Sequence, residues 1–226
     1  MRRMLTLSLK PRHFRHRGIN NKGRLLMKEY SITYRSDDLC WSSTPYLNVN
    51  EYLWNSPKNV SMRAQICYDE NALYVHMEAK EEHIRAEYTA PLSMVCKDSC
   101  MELFFCPDEH DNRYINFEIN PNGCTFIGIS HRRTDIVRLC PLNEEKLFNK
   151  QVNRTADGWE AFFQIPVSFL QVFFPDYTLM SGRKIRANCY KCGDLTVQPH
   201  FLSWNPVNHP TPDFHRPCDF GMMILK

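Results

Sequence analysis

Apolar and polar residues alternate with a period of two along much of this chain. Three stretches alternate regularly, residues 62–68, 73–79 and 114–120, and a fourth, residues 99–106, is more continuously apolar. Because successive side chains of a β-strand point to opposite faces, these stretches predict strands. The same reasoning predicts further strands near residues 125–130, 150–154, 159–165, 185–191, 201–204 and 220–225.

Turn-forming residues separate the predicted strands. Residues 69–71, 121–123 and 156–158 combine Asp, Asn, Pro or Gly in the way that hairpin turns require. One helical turn is expected over Pro166 to Leu170, with Pro166 in a tolerated first-turn position, and no longer segment has a helical period with caps. The pattern therefore predicts an all-β fold over residues 27–226. We expect one two-sheet antiparallel β-sandwich, immunoglobulin-like, with about ten short strands and little helix.

Composition supports a globular domain of this kind. The chain has 226 residues, of which 43% are hydrophobic and 23% charged, proportions that are ordinary for a folded core. No apolar run approaches the ~20 residues that a membrane-spanning helix needs, so no membrane partner is expected.

Charge is distributed unevenly along the chain. Residues 1–26 contain eight Lys and Arg and no acid, which leaves 20 basic against 25 acidic residues in the remainder. A mildly acidic body argues against nucleic acid as the main partner.

The basic arm, residues 1–26, has three interpretations. It is a tail for nucleic acid or membrane surfaces, a targeting peptide, or a non-native extension that precedes a true start at Met27. The apolar stretch at residues 4–9 is too short for a signal peptide and ends at Lys10-Pro11-Arg12. We expect the arm to be disordered or spurious, and the protein to be cytoplasmic.

Ten cysteines are many for a chain of this length. Without a secretory signal, free thiols in a reducing compartment are the default. The spacings Cys96/Cys100 and Cys189/Cys192 raise a zinc site as an alternative. A regular strand would place Cys189 and Cys192 on opposite faces, so we favour buried, hydrophobic thiols.

Residue types suited to sugar binding lie on the predicted strands and in the last quarter of the chain. A pyranose has apolar C–H faces that stack on rings and hydroxyls that bond to amides and charged groups. The residues that this chemistry selects are Glu102, Asn116, Glu118, Arg186, Asn188, Lys191, Trp204, Phe214 and His215.

Structural roles compete with binding at several of these positions. Polar residues on the alternating strands also fit a face turned to solvent. An ion pair would explain Glu102 in its apolar strand as well as a ligand contact would. Trp204 fits the core or a stacking platform, whereas Phe214 lies in a proline-stiffened loop. Trp41, Trp54 and Trp159 are interpreted as packing residues, since each adjoins an apolar pattern.

The order of several short motifs resembles the family 9 carbohydrate-binding modules, above all their single-domain bacterial members. The resemblance covers about residues 38–225. The motifs are Trp41, Tyr68-Asp69-Glu70-Asn71-Ala72-Leu73-Tyr74-Val75, Lys97-Asp98-Ser99-Cys100-Met101-Glu102-Leu103-Phe104, Tyr114-Ile115-Asn116-Phe117-Glu118-Ile119-Asn120, Gly158-Trp159-Glu160-Ala161, Ile165-Pro166, Arg186-Ala187-Asn188, Ser203-Trp204, Pro217 and Phe220-Gly221.

The resemblance implies a DOMON-like β-sandwich that binds sugars, often at chain ends, and that usually accompanies xylanases and related hydrolases. It places the family's binding carboxylate on Glu102, a binding amide on Asn188 and one aromatic wall on Phe214. The other wall would fall near Cys96, where there is no ring and Tyr88 is the closest aromatic residue. A binding arginine of the family falls on Glu118.

These observations predict non-catalytic binding of a plant-type carbohydrate of the xylan or β-glucan class, with a glycoside hydrolase as a candidate partner. One alternative is a hydrolytic enzyme that uses Glu102 and Glu118 as its carboxylate pair. A second is a haem-binding electron-transfer module, because relatives of this sandwich use Met and His ligands.

No cofactor is expected. Some members of the family hold structural calcium. The acidic loop that contains Asp108, Glu109, Asp111 and Asn112 lacks the spacing of a known calcium loop.

Overall fold

The computed structural model describes residues 27–36, 41–108 and 110–226. The basic arm, Cys40 and Glu109 lie outside the described residues, and so do the predictions made for them.

The structure is mostly β, with 42% of residues in strands and 11% in helices. The strands are β1 (Glu29–Tyr34), β2 (Leu47–Val49), β3 (Glu51–Tyr52), β4 (Ser61–Tyr68), β5 (Ala72–Lys80), β6 (Cys100–Cys106), β7 (Tyr114–Ile119), β8 (Thr125–Ser130), β9 (Val137–Leu139), β10 (Gln151–Arg154), β11 (Gly158–Pro166), β12 (Lys184–Gly193), β13 (His200–Ser203) and β14 (Gly221–Leu225). The helices are α1 (Glu144–Phe148) and α2 (Val167–Gln171). No helix in the described part of the chain is long and apolar enough to cross a membrane.

The strands form one curled, mixed sheet, in the order β10-β11-β5-β4-β1-β14-β12-β6-β7-β8-β9. The prediction of a mostly β fold with little helix is confirmed. The two-sheet sandwich is not confirmed, and the sheet is mixed where an antiparallel one was expected. Strand β1 pairs in parallel with β14 along one part of its length and with β4 along the other. It therefore joins the two halves of the sheet. Its partners are distant in sequence, so no turn signal marks these pairings.

The predicted turns are present at the ends of the antiparallel strands. The carboxylate of Asp69 accepts hydrogen bonds from the backbone N–H groups of Asn71 and Ala72, which closes the β4–β5 hairpin. Gly123 in the β7–β8 connection has φ +75°, a conformation that L side chains rarely adopt. Pro166 ends β11 and caps α2.

The main core fills the space between the two halves of the curled sheet. Phe117 on β7 stacks on Phe163 on β11, with ring centroids 5.9 Å apart. Trp159 is fully buried, and its indole N–H donates to Glu81 at 2.7 Å. Each buried aromatic side chain contributes about 1.5–3 kcal/mol by leaving water.

A second apolar cluster covers the opposite face of β6, β7, β8 and β12. Phe104, Tyr114 and Tyr190 are its largest fully buried members. Their even numbering follows from strand alternation, which turns the odd-numbered neighbours into the main core. The two clusters thus occupy the two faces of the same strands, and the second one supports the candidate site.

Candidate carbohydrate-binding site

A cavity of about 360 Å³ opens on the face that carries the second cluster. Side chains of β6, β7, β8 and β12 form its floor, and residues from β9, β13 and the connecting loops form its walls. The lining residues are Trp54, Met94, Cys96, Glu102, Glu118, Phe126, Arg133, Thr134, Ile136, Arg138, Cys192, Asp194, Phe201, Pro212, Asp213, Phe214 and His215.

Two rings, Trp54 and Phe214, form an aromatic wall. Their centroids are 5.7 Å apart with an interplanar angle of 39°. Phe214 stacks on Tyr190 at 4.1 Å, and the Tyr190 hydroxyl donates to the Phe214 carbonyl at 3.2 Å. The Trp54 indole N–H donates to the His209 carbonyl at 2.8 Å, so both rings are held before any ligand arrives.

A pair of buried carboxyl groups forms the polar part of the floor. Glu102 on β6 and Glu118 on β7 are direct cross-strand partners, with 2% and 5% exposure. The Cys192 thiol donates to Glu102 at 2.9 Å, and the Asn116 amide donates to Glu118 at 3.0 Å. The Asn116 carbonyl oxygen is buried and has no partner in the described structure.

Burial controls the charge of this pair. Loss of solvation raises the pKa of Glu102 to about 7. The hydrogen bond that Glu102 accepts from Cys192 partly opposes this rise in pKa. Burial, and then the neighbouring Glu102, raise the pKa of Glu118 well above its ordinary value. Both shifts favour the protonated form, and a protonated carboxyl group in this pair offers a hydrogen-bond donor as well as acceptors.

The rim combines a neutral histidine with two arginines. His215 Nδ1 lies 2.9 Å from the Tyr114 hydroxyl, and burial lowers the pKa of His215 to about 4. Arg138 lies over the ring of Phe126, 5.0 Å from its centroid. Arg133 lies 3.7 Å from a carboxylate oxygen of Asp213. These groups can donate to and accept from hydroxyls around the entrance.

The Asp-Ser pair that precedes β6 has a structural role. The Asp98 carboxylate is fully buried and accepts from the backbone N–H groups of Glu87 and Tyr88, each at 2.9 Å. The Ser99 hydroxyl donates to Glu81 at 2.8 Å. These bonds fix the start of β6 and, through it, the position of Glu102.

Five of the sequence-predicted residues lie together at the cavity. Glu102, Glu118, Phe214 and His215 line it, and Asn116, two residues before Glu118 on the same face of β7, donates to it. Phe214 is only 8% exposed, although it lies in a loop. The stack on Tyr190 explains this burial.

Asn188 and Trp204 lie outside the cavity lining. The Asn188 side chain is fully buried and exchanges hydrogen bonds with the Asn205 backbone, at 3.0 and 2.8 Å. Trp204 is 5% exposed and packs edge-on against Tyr30 in the main core. Both residues hold the segment after β13 in place.

Lys191 and Arg186 are also engaged elsewhere. Lys191 points to the opposite face of β12, where its fully buried ammonium lies 3.0 Å from Glu81 and 2.8 Å from His200. Arg186 donates to the Asp111 carbonyl and to the Asn112 side chain. Lys191 lies opposite Met101 in the β12–β6 pair, so this register together with strand alternation turns it to the other face from Glu102.

Sequence reasoning missed Trp54, which it interpreted as a packing residue. Trp54 and Asn55 both have positive φ, at 46° and 63°, and this irregular backbone brings the indole to the cavity. It also missed Arg133, Arg138 and Asp194, because no motif marks their segments; Arg138 lies in the short strand β9. Cys96 lines the cavity at the position where the resemblance implies an aromatic wall, and Tyr88 is not among the lining residues.

The fold and the cavity define a β-sheet protein with a ring-lined, hydrogen-bonding pocket, and comparisons with known proteins agree. The model of carbohydrate-binding family 9 matches residues 25–225. A protein of Bacteroides uniformis assigned a carbohydrate-binding role shares 24% identity and a TM-score of 0.76, over 89% of this chain and 100% of that one.

A family 9 module of Caldicellulosiruptor kristjanssonii has been solved in two complexes. The glucose complex has 13% identity and a TM-score of 0.64, over 88% of this chain and 96% of that one. The cellotriose complex has 13% identity and a TM-score of 0.63, over 88% and 94%. No curated protein matches the chain.

The chain belongs to carbohydrate-binding family 9, because the family match spans nearly all of it. Its function is non-catalytic carbohydrate binding. The resemblance seen in the sequence is thereby confirmed.

Proposed function

We propose that the protein binds the terminal sugar units of a xylan or β-glucan chain in the cavity beside Trp54 and Phe214. The observation that carries the proposal is the meeting of these two rings with Glu102 and Glu118 in one cavity. A volume of about 360 Å³ falls within the range of small-ligand sites. A cavity with a floor and walls favours a chain end, since a mid-chain segment needs an open groove.

The two kinds of side chain have separate tasks in this proposal. The rings stack on the apolar face of a pyranose, which contributes by burial and by specific ring geometry. The carboxyl pair and His215 bond to hydroxyls on the rim of the sugar. Because the rings are already packed, binding loses little side-chain entropy.

Isothermal titration calorimetry tests the proposal directly. Full-length protein kept in chelator is titrated with glucose, cellotriose and xylotriose. Glu102→Gln and Glu118→Gln preserve shape and alter the hydrogen bonds, so each should lose about 1 kcal/mol, or roughly fivefold in affinity. Glu78→Gln is the matched control, because Glu78 pairs with Arg63 outside the cavity lining.

The proposal fails if both cavity variants bind the best of these sugars as tightly as the parent. A difference between cellotriose and xylotriose assigns the class, because xylose lacks the hydroxymethyl group of glucose. Release of reducing ends from xylan or β-glucan should be absent from the parent. If it occurs and Glu102→Gln abolishes it, the carboxyl pair is hydrolytic instead.

We also propose a reducing, cytoplasmic location and a functional association with a glycoside hydrolase. The location is supported by the nine described cysteines, all of which are free. The association is supported by the usual context of the family. Co-purification of the tagged protein with a hydrolase from its own cells would test it.

A further inference from the structure

Three metal-ligating side chains meet at the floor of the cavity. Cys100 on β6 and Cys192 on β12 are direct cross-strand partners, and Glu102 follows two residues after Cys100 on the same face. Their sulfur and oxygen atoms all lie within 4.8 Å of one another.

All three side chains are removed from solvent. Each is at most 2% exposed. The Cys192 thiol donates to a carboxylate oxygen of Glu102 at 2.9 Å and has a 3.6 Å contact to the Cys96 carbonyl, and the Cys100 thiol has a long contact of 3.8 Å to the Met101 carbonyl. Thiols are weak hydrogen-bond donors, so a bound cation would interact with these groups more strongly than their present partners do.

The ligand set favours one class of metal. Two thiolates and a carboxylate suit a borderline-soft cation such as Zn²⁺, whereas Ca²⁺ and Mg²⁺ require oxygen ligands. A tetrahedral zinc site has Zn–S distances of about 2.3 Å and Zn–O distances of about 2.0–2.2 Å. The existing spacing therefore needs only modest side-chain movement to accept the ion.

We propose that Cys100, Cys192 and Glu102 bind a divalent cation of the zinc class. Binding releases one proton from each thiol, and the metal replaces the hydrogen bond between Cys192 and Glu102. Cys192 and Glu102 both line the cavity, so the fourth coordination position faces it and is open to water. This inference does not rest on the proposed sugar binding, and the two are measured separately.

Cobalt titration of the reduced, metal-free, full-length protein under anaerobic conditions tests the site. The expected result is saturable binding of one Co²⁺ per chain, with a thiolate-to-cobalt charge-transfer band and visible bands of tetrahedral cobalt. Zinc should displace the cobalt and abolish both signals. Melting temperature recorded with and without Zn²⁺ should rise with the ion, since only the folded chain presents the site.

Serine variants assign the ligands. Cys100→Ser and Cys192→Ser should each weaken Co²⁺ binding by more than about tenfold, because loss even of an outer-shell group costs about 10–100-fold. Glu102→Gln should weaken binding but keep the charge-transfer band, since both thiolates remain. Cys106→Ser is the matched control, as a buried thiol on the same strand and face.

Two outcomes would overturn the site. One is a parent protein with no charge-transfer band at excess Co²⁺. The other is a folded Cys100→Ser, Cys192→Ser double variant, checked by circular dichroism, that binds the ion as the parent does. Calorimetry with cellotriose in chelator tests the sugar-binding proposal independently of the metal.

Discussion

Glu102 and Glu118 face each other across adjacent strands of the sheet, and both carboxyl groups are buried. Two carboxyl groups in this arrangement cannot both ionise without a large cost, because each has lost its solvation and repels the other.

The first prediction concerns the pH dependence of stability. The pKa of Glu102 is about 7 in the folded chain, against an ordinary value of 4.5. The folded state therefore binds more protons between these values, and the free energy of unfolding falls as pH rises through this window. Urea titrations at pH 5 and pH 8 measure this fall in the free energy of unfolding. Glu102→Gln should make the fall smaller by on the order of 1–3 kcal/mol.

Comparison at the two pH values is the control for this prediction. Glu102→Gln should match the parent more closely at pH 5, where the parent carboxyl is protonated, and exceed it at pH 8. Equal differences at both pH values would show that Glu102 titrates normally.

The second prediction compares two half-buried tryptophans. Trp54→Ala removes one ring of the cavity wall and should weaken cellotriose binding by about 1–3 kcal/mol, the range expected for a lost aromatic contact. Trp41→Ala is the control, because Trp41 packs on His76 and Phe162 in the other half of the sheet. If calorimetry gave the two variants equal affinities for cellotriose, the result would contradict the site.

The third prediction separates Trp204 from the site. Gly221 lets Trp204 approach closely, since a Cβ there would lie 2.6 Å from the indole. Trp204→Ala should lower the free energy of unfolding by about 3–5 kcal/mol because it empties a core position. Trp204→Phe should recover most of that loss and bind cellotriose like the parent. A stable Trp204→Ala protein with reduced affinity would instead place Trp204 at the sugar.

The fourth prediction concerns thiol reactivity. Cys140 and Cys218 are exposed, whereas Cys67, Cys100, Cys106, Cys124, Cys189 and Cys192 are buried. Burial raises the pKa of Cys67, Cys100 and Cys106 to about 12, so these thiols lack the reactive thiolate. Ellman's reagent should label the exposed pair at once and the buried six only after denaturation. Fewer than the full number of thiols in the unfolded, unreduced protein would reveal disulfides.

The strands and turns were predictable because their signal is local. Alternation in residues 62–68 and 73–79 identified β4 and β5, and Asp69 identified their turn. The same rule separated Cys189 from Cys192 correctly, since they lie in the two opposite clusters. Alternation within one strand does not identify the strand that pairs with it. The parallel pairing of β1 with β14 joins residues almost 200 positions apart.

The candidate site was predictable only in part for the same reason. Glu102 followed from strand periodicity together with family resemblance, and Glu118 followed from strand periodicity, at a position where the resemblance implies an arginine. The pairing of Cys100 with Cys192 depends on the register between β6 and β12, which no single-strand pattern contains. Trp54 depends on two consecutive left-handed residues without glycine, a conformation that sequence preferences argue against.

The parallel contact between β1 and β14 also determines how the domain bears mechanical load. Glu29 lies opposite Met222 and Ile32 opposite Leu225, so the chain enters at one end of this strand pair and leaves at the other. Tension applied at the two ends of the domain would slide the strands past each other. All their hydrogen bonds would then resist together and could not open one at a time. This strand pair therefore resists tension between the two ends of the domain more strongly than a pair that opens from one end.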